Sequence, residues 1–262
     1  MQRWLLNHLP TALYMALFVL VAVGVAYVIL RLVRRLFPSL ADGQHNEITV
    51  LSVEIVGALY AILLGFVIVF LWQDVNNARD NVGAESTALS QLTRDAQAFA
   101  PAAREDVTRA IGEYAHVVVD DEWLLQREGR GSPAGTEAMN NLSAAMQRYD
   151  PTTEVQKTYF TASVGHFNDM QAARRIRLSH VGPSLSTSLR FMMYSYFVAI
   201  VVFISTVNNG PRHRHTALLL GVTAIIAFNL AFTTTLDYPF SGDGAVASAP
   251  FRAGVLAQFF PR

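Results

Sequence analysis

The chain has 262 residues, 52% of them apolar and 15% charged, with 20 cationic side chains balancing 20 anionic ones. A net charge near zero says little by itself and no nucleic-acid partner is expected, while the absence of cysteine excludes a disulfide framework and thiolate chemistry. The apolar residues fall in long uncharged blocks, the mark of a protein that lives in a lipid bilayer.

The first block runs without formal charge from Arg3 to Arg31. Crossing a hydrocarbon layer of ~30 Å takes about 20 apolar residues, so a first transmembrane helix is expected over 11–36. It is too long for a signal peptide, and no small-residue cleavage pattern precedes Arg31. Pro38, Asp42 and Gly43 then punctuate a loop. A second span is expected over 48–75, through the stretch IVGALYAILLGFVIVFLWQDV. Gly57, Ala61 and Gly65 recur every four residues and form a small-residue strip for close helix packing. Beside it Ala58, Ile62, Phe66 and Phe70 make a parallel strip of increasing bulk, a composition at home in lipid. Glu54 and Asp74 bracket the span as candidates for polar or ion contacts, since an ionisable group there must reach head groups, water or a protein interior.

The region 76–187 carries most of the charge and reads as an extramembrane helical bundle. Val75, Ala78, Val82, Leu89, Leu92, Ala96 and Phe99 are spaced by threes and fours, broken only where Glu85 takes an apolar place. The second span is therefore expected to continue out of the membrane as one long helix. Pro101 suits the first turn of the next helix, with an apolar stripe of Val107, Ile111, Tyr114, Val118 and Leu125 and a stop at GRGSP. Within it, Asp120, Asp121 and Glu122 read as a solvated face. A short helix carries Met139, Leu142, Met146 and Tyr149, and a fourth runs from about Thr153 to His180 before Gly182-Pro183 ends it. Short connections between amphipathic helices imply a bundle.

Spans three and four are expected over 188–208 and 215–238, with a tail over 239–262. Between them the break NNGPRHRH, with His213 and His215 flanking Arg214, reads as a basic interfacial loop rather than a metal site. Asn229 places an amide in mid-span, where it needs a partner from a helix or from water, and Asp237 stands at the span's end before Pro239. The fold class is thus all-α, with four transmembrane helices and a helical extramembrane bundle inserted between helices two and three. There is no HExxH, glycine-rich phosphate loop or nucleophile elbow, so no enzyme, cofactor or metal site is expected.

LLGFVIVFLWQD, the following NNARDNV, the later Glu122-Trp123 and the closing DYPFSG together resemble the bestrophin-like family of bacterial and plant membrane proteins, a domain of unknown function. The resemblance covers roughly Glu47 to Phe251. More distantly the chain is similar to the bestrophins, pentameric anion channels with two spans, a helical cytoplasmic bundle and two further spans. Their pore is lined by the second span and narrowed by three residues at four-residue spacing that end on a phenylalanine. Carried onto this chain, that implies Ala58, Ile62 and Phe66 as a constriction, with Phe70 continuing the strip. Two departures stand out. Leu71, Trp72, Gln73 and Asp74 replace the arginine and paired aromatics that follow the bestrophin helix. Asp237 and Asp243 are too sparse for a calcium clasp, so calcium gating does not carry over.

The resemblance implies a homo-oligomer, a pentamer in the bestrophin manner, passing small ions and favouring anions. The alternative is a membrane sensor or scaffold whose bundle binds a ligand or a protein. Orientation in the inner membrane draws two opposed expectations. Arg31, Arg34, Arg35, Arg212 and Arg214 in the short loops place those loops inside by the positive-inside rule, whereas the resemblance places the bundle in the cytoplasm, which is the orientation adopted.

Overall fold

The computed structural model describes residues 2–36, 46–207 and 212–261. The loop expected at Pro38, Asp42 and Gly43, and the first part of the NNGPRHRH break, lie outside those residues. Among the described residues the chain is all-α, with nine α-helices and no strand. Four of the helices are long and apolar enough to cross a membrane. The chain divides into two compact units: 1–73 with 183–237, and 74–182 with 238–262.

The membrane unit begins with a short helix, α1 (Gln2–His8), that the composition did not announce. The first span is α2 (Thr11–Leu36), the third α8 (Thr187–Thr206) and the fourth α9 (Arg212–Leu236). Ser186 caps α8 by accepting from the Leu189 amide at 3.2 Å. The three spans pack through a cluster of Ala26, Leu30, Val201 and Leu219, flanked by Ile29, Phe197, Ile204 and Leu220. Lipid tails are as apolar as these side chains, so the cluster holds by close packing rather than by escape from water.

The second span is the first half of α3 (Asn46–Asp95), a single helix of 50 residues. At 1.5 Å per residue it is about 75 Å long, more than twice a hydrocarbon layer of ~30 Å. No proline interrupts it, and its buried residues Tyr60, Leu64, Val67, Leu71, Val75, Ala78 and Val82 keep to three- and four-residue steps. One stripe therefore passes from the apolar half into the polar half without a change of phase.

In the second unit, α4 (Pro101–Val117) starts with proline at its first turn. It buries Val107, Ile111 and Tyr114 as the periodicity requires. A π turn over Val118–Glu122 then joins it to α5 (Trp123–Arg127). Widening the i→i+4 ladder to i→i+5 inserts one residue and rotates everything beyond it. Leu125, expected on the stripe, is therefore only half-buried, while Glu122, Trp123 and Gln126 turn inward. The reading of Glu122 as part of a solvated face is corrected: it lies one four-residue step from Val118 and is buried with it. Asp120 and Asp121 do stay exposed.

Ser132 caps α6 (Pro133–Gln147) by accepting from the Gly135 amide at 3.0 Å, and it donates to Asp121 at 2.5 Å. Thr153 and Gln156 form a capping box at the start of α7 (Glu154–Ser179). The tail docks on the same unit: Trp123 donates through Nε1 to the Val246 carbonyl at 3.3 Å and packs edge-on to Phe240 and Phe251.

Candidate functional site

The buried stripe of α3 leaves a complementary outward face. Ile62, Phe66 and Phe70 are 58%, 72% and 54% exposed, and Ala58 is exposed with them. With about 100° per residue, Ile62 lies opposite the middle of the buried stripe, and Ala58 and Phe66 stand about 40° to either side of it. The four-residue steps that suggested the strip thus correspond to one ridge of apolar side chains turned away from the subunit's own interior. Val69 shares that face.

The small-residue strip flanks the ridge. A Cβ added at Gly57 or at Gly65 would meet nothing within 4 Å, and Ala61 between them is exposed. Among the described residues no other helix fills this groove. Trp72, next in the exposed series, closes the ridge at the end of the apolar stretch.

From Asp74 onward α3 is tied to α7 and its C-cap by a set of polar rungs. Asp74 lies 3.3 Å from His180 Nδ1, and Asp95 lies 2.7 Å from His166 Nδ1. Between them Glu85 is fully buried and receives two hydrogen bonds from Arg177, Nε to Oε2 at 2.6 Å and Nη2 to Oε1 at 2.9 Å. Arg177 Nη2 also donates to Glu122 Oε1 at 2.6 Å, and Arg174 donates to Glu122 Oε2 at 2.5 Å. Tyr114 completes the group by donating to Glu85 at 2.5 Å, while the Arg177 guanidinium lies 5.3 Å from the centre of the Trp123 ring.

Two carboxylates and two guanidinium groups cancel, which is the condition for tolerating them in a core. Burial, the largest single influence, would push the Arg177 guanidinium down, but the Glu85 and Glu122 carboxylates, with Tyr114, together outweigh it and hold the group above its ordinary value. Burial, with the same carboxylate beside it, pushes the Tyr114 hydroxyl well above the usual tyrosine range. Tyr114 therefore stays protonated and donates. A Cβ on Gly135 would come within 1.9 Å of Glu122 Oε2, so the start of α6 has to be glycine for Glu122 to sit where it does.

The remaining polar candidates are dispersed. Asn229 donates to the Ile225 carbonyl of its own helix at 2.9 Å, which satisfies its N–H without a second helix. Asp237 is buried and accepts from the Leu185 amide at 2.7 Å, with Arg190 at 3.6 Å; it pins the start of the third span to the end of the fourth. His213, Arg214 and His215 belong to the first turns of α9 rather than to a loop. Residues two apart on a helix face different sides, and here His213 is exposed while His215 is buried, so the two rings do not converge on a shared ligand. Glu54 is exposed one four-residue step before Ala58.

The charge network was the part that spacing alone did not find. Its signals were Glu85 in an apolar seam and a pair of arginines three residues apart on α7.

The family model of the Bestrophin-like domain matches residues 17–251. No curated protein matches the chain in sequence. Among solved structures the chain is similar to a bacterial bestrophin homolog from Klebsiella pneumoniae, crystallised as a point variant. The TM-score is 0.67 and the identity 12%, over 95% of this chain and 99% of that one. At that identity the likeness concerns the fold.

Proposed function

We propose, because the chain belongs to the bestrophin-like family, that it is a subunit of a membrane ion channel whose pore is lined by α3. The observation that carries this reading is the apolar ridge of Ala58, Ile62, Phe66 and Phe70, turned away from the subunit's interior on a helix of membrane-spanning length. Four spans leave too little room for a hydrated path within one subunit, so the path is built between copies. The open groove at Gly57, Ala61 and Gly65 beside the ridge gives a neighbouring helix somewhere to sit. Phe66 from each copy then narrows the path, and a ring of apolar side chains stops ions by making the confined water column unfavourable.

A pentamer and a preference for small anions follow the bestrophins that the chain resembles; the apolar lining itself carries no sign. The assembly sits in the inner membrane with the bundle in the cytoplasm. Ion flux through liposomes containing the purified protein tests the reading. Phe66→Ala should widen and wet the constriction and raise flux, whereas Phe191→Ala, at a phenylalanine of similar exposure (74%) on α8, should leave it at the parent level. A parent that passes no ion under any gradient, or a folded oligomeric Phe66→Ala protein with parental flux, refutes it.

One observation favours a sensor instead. The second unit has an open cleft of about 750 Å³ whose lining includes Arg104, Arg109, Glu113, His116 and Phe259. Ligand-dependent binding of a soluble partner without flux would support that alternative.

A further inference from the structure

At the start of α9 the His215 imidazole turns into the membrane unit. It is 7% exposed, and its Nε2 is buried with no hydrogen-bond partner among the described residues. His215 lines a cavity of about 260 Å³, near the lower end of small-molecule pockets at about 300 Å³. Most of the wall is apolar, with Val50 from α3, Ile204 from α8, and Leu219 and Val222 from α9. Among the described residues of the lining the other polar group is Glu54. A four-residue step turns about 40° round a helix, so Glu54 has left the centre of the outward ridge and reaches this cavity.

A guanidinium stands across from the imidazole. Leu30 of α2 and Leu219 of α9 pack in one cluster. One turn further along each helix brings Arg34 opposite His215, close enough to act on the charge of the ring.

An apolar cavity alone would accept any acyl chain. A carboxylate and an imidazole in the lining, with the Arg34 guanidinium near the imidazole but outside the lining, suit a head group that carries a cation and an anion a few atoms apart. We infer that this cavity seats the head of an aminophospholipid from the bilayer. Its primary ammonium donates to Glu54, its phosphate accepts from Arg34 and from His215 Nε2, and the first part of an acyl chain lies along the apolar wall. A primary ammonium has three N–H donors and a trimethylated one has none, so the site distinguishes ethanolamine from choline lipids. The carboxylate–ammonium contact is charge-assisted and sets the size of that distinction.

Native mass spectrometry of the detergent-purified protein tests the site without reference to conduction. Dioleoyl phosphatidylethanolamine, dioleoyl phosphatidylcholine and dodecylamine are titrated separately. The ethanolamine lipid should bind about tenfold more tightly than the choline lipid, which is about 1.4 kcal/mol, and dodecylamine, lacking phosphate, should bind less tightly than the ethanolamine lipid. Glu54→Gln, at an exposed position, should keep the parental mass and lower ethanolamine-lipid binding to the choline level. Equal binding of the two lipids by the parent, a preference unchanged in Glu54→Gln, or dodecylamine binding as tightly as the phospholipid would each overturn the assignment. If Glu54→Gln does not purify intact, the parent's ratio between the two lipids decides alone.

Discussion

Replacing Arg177 with methionine removes three hydrogen bonds, two to Glu85 and one to Glu122. The two carboxylates do not suffer equally. Glu122 keeps its pair with Arg174 at 2.5 Å, whereas Glu85 keeps only the Tyr114 hydroxyl. One buried charge is left uncompensated, and breaking a buried pair in this way costs about 3–5 kcal/mol. At about 2–4 °C per kcal/mol for a chain near this size, the melting temperature should fall by about 6–20 °C. Removing the second charge should undo most of the loss: Glu85→Leu combined with Arg177→Met leaves Glu122 and Arg174 paired and puts apolar groups in the vacated seam, an exchange that is often neutral. The two single changes and the double change form a cycle with an expected coupling above about 2 kcal/mol. Far-UV circular dichroism of the detergent-solubilised protein, heated at one scan rate, reads all four forms. An unchanged melting temperature for Arg177→Met, or a double variant that loses the sum of the two singles, would refute the reasoning.

Three further outcomes follow from the same coordinates. Gly65→Ile should reduce oligomer mass in size-exclusion chromatography with light scattering while subunit helicity holds, because none of the described residues outside its own helix lies within 4 Å of the new Cβ; parental mass and parental melting together would show that the groove holds no neighbouring helix. Tyr114 binds its proton more tightly folded than unfolded, so its contribution is complete below the ordinary tyrosine value of 10.0 and is lost as pH rises above it. Melting of the parent should therefore drop more steeply above that pH than melting of Tyr114→Phe, and parallel curves would contradict the assignment. Asn140→Cys, on the exposed side of α6, should resist an impermeant maleimide in intact cells and react after permeabilisation; labelling of intact cells would place the bundle outside.

The spans were readable because a charge inside a hydrocarbon layer is costly, so their uncharged runs mark them directly. The long helix could be read for a related reason: the seam from Val75 to Leu92 keeps one period across the membrane boundary. Glu85 looked like a flaw in that seam. Its compensation lies 92 residues away on α7, a distance over which local periodicity is blind. Glu122 was misread from its place in an acidic run although it lies one four-residue step from Val118, and the π turn, which carries no residue signature, exchanges Leu125 for Gln126 on the buried face. The docking of the tail was hidden similarly, since Trp123 and Val246 meet through a fold-level contact. On α3 the ridge at Phe66 followed from four-residue spacing, while the direction it faces became evident only once the burial of Tyr60, Leu64 and Val67 was known.

The unbroken course of α3 makes its length a coded quantity. Phe66 and Glu85 lie 19 positions apart on one helix with no proline between them. Adding or deleting a single residue there would change the helical register between the two by about 100°. A change of three or four residues misses a full turn by about 60° or 40°, whereas a change of seven or of eleven comes within about 20° of restoring the original register. Relatives that share this architecture should therefore differ in this stretch by substitution or by changes of about seven or eleven residues, and a chimera joining the membrane half of one to the bundle of another has to be cut in matching phase.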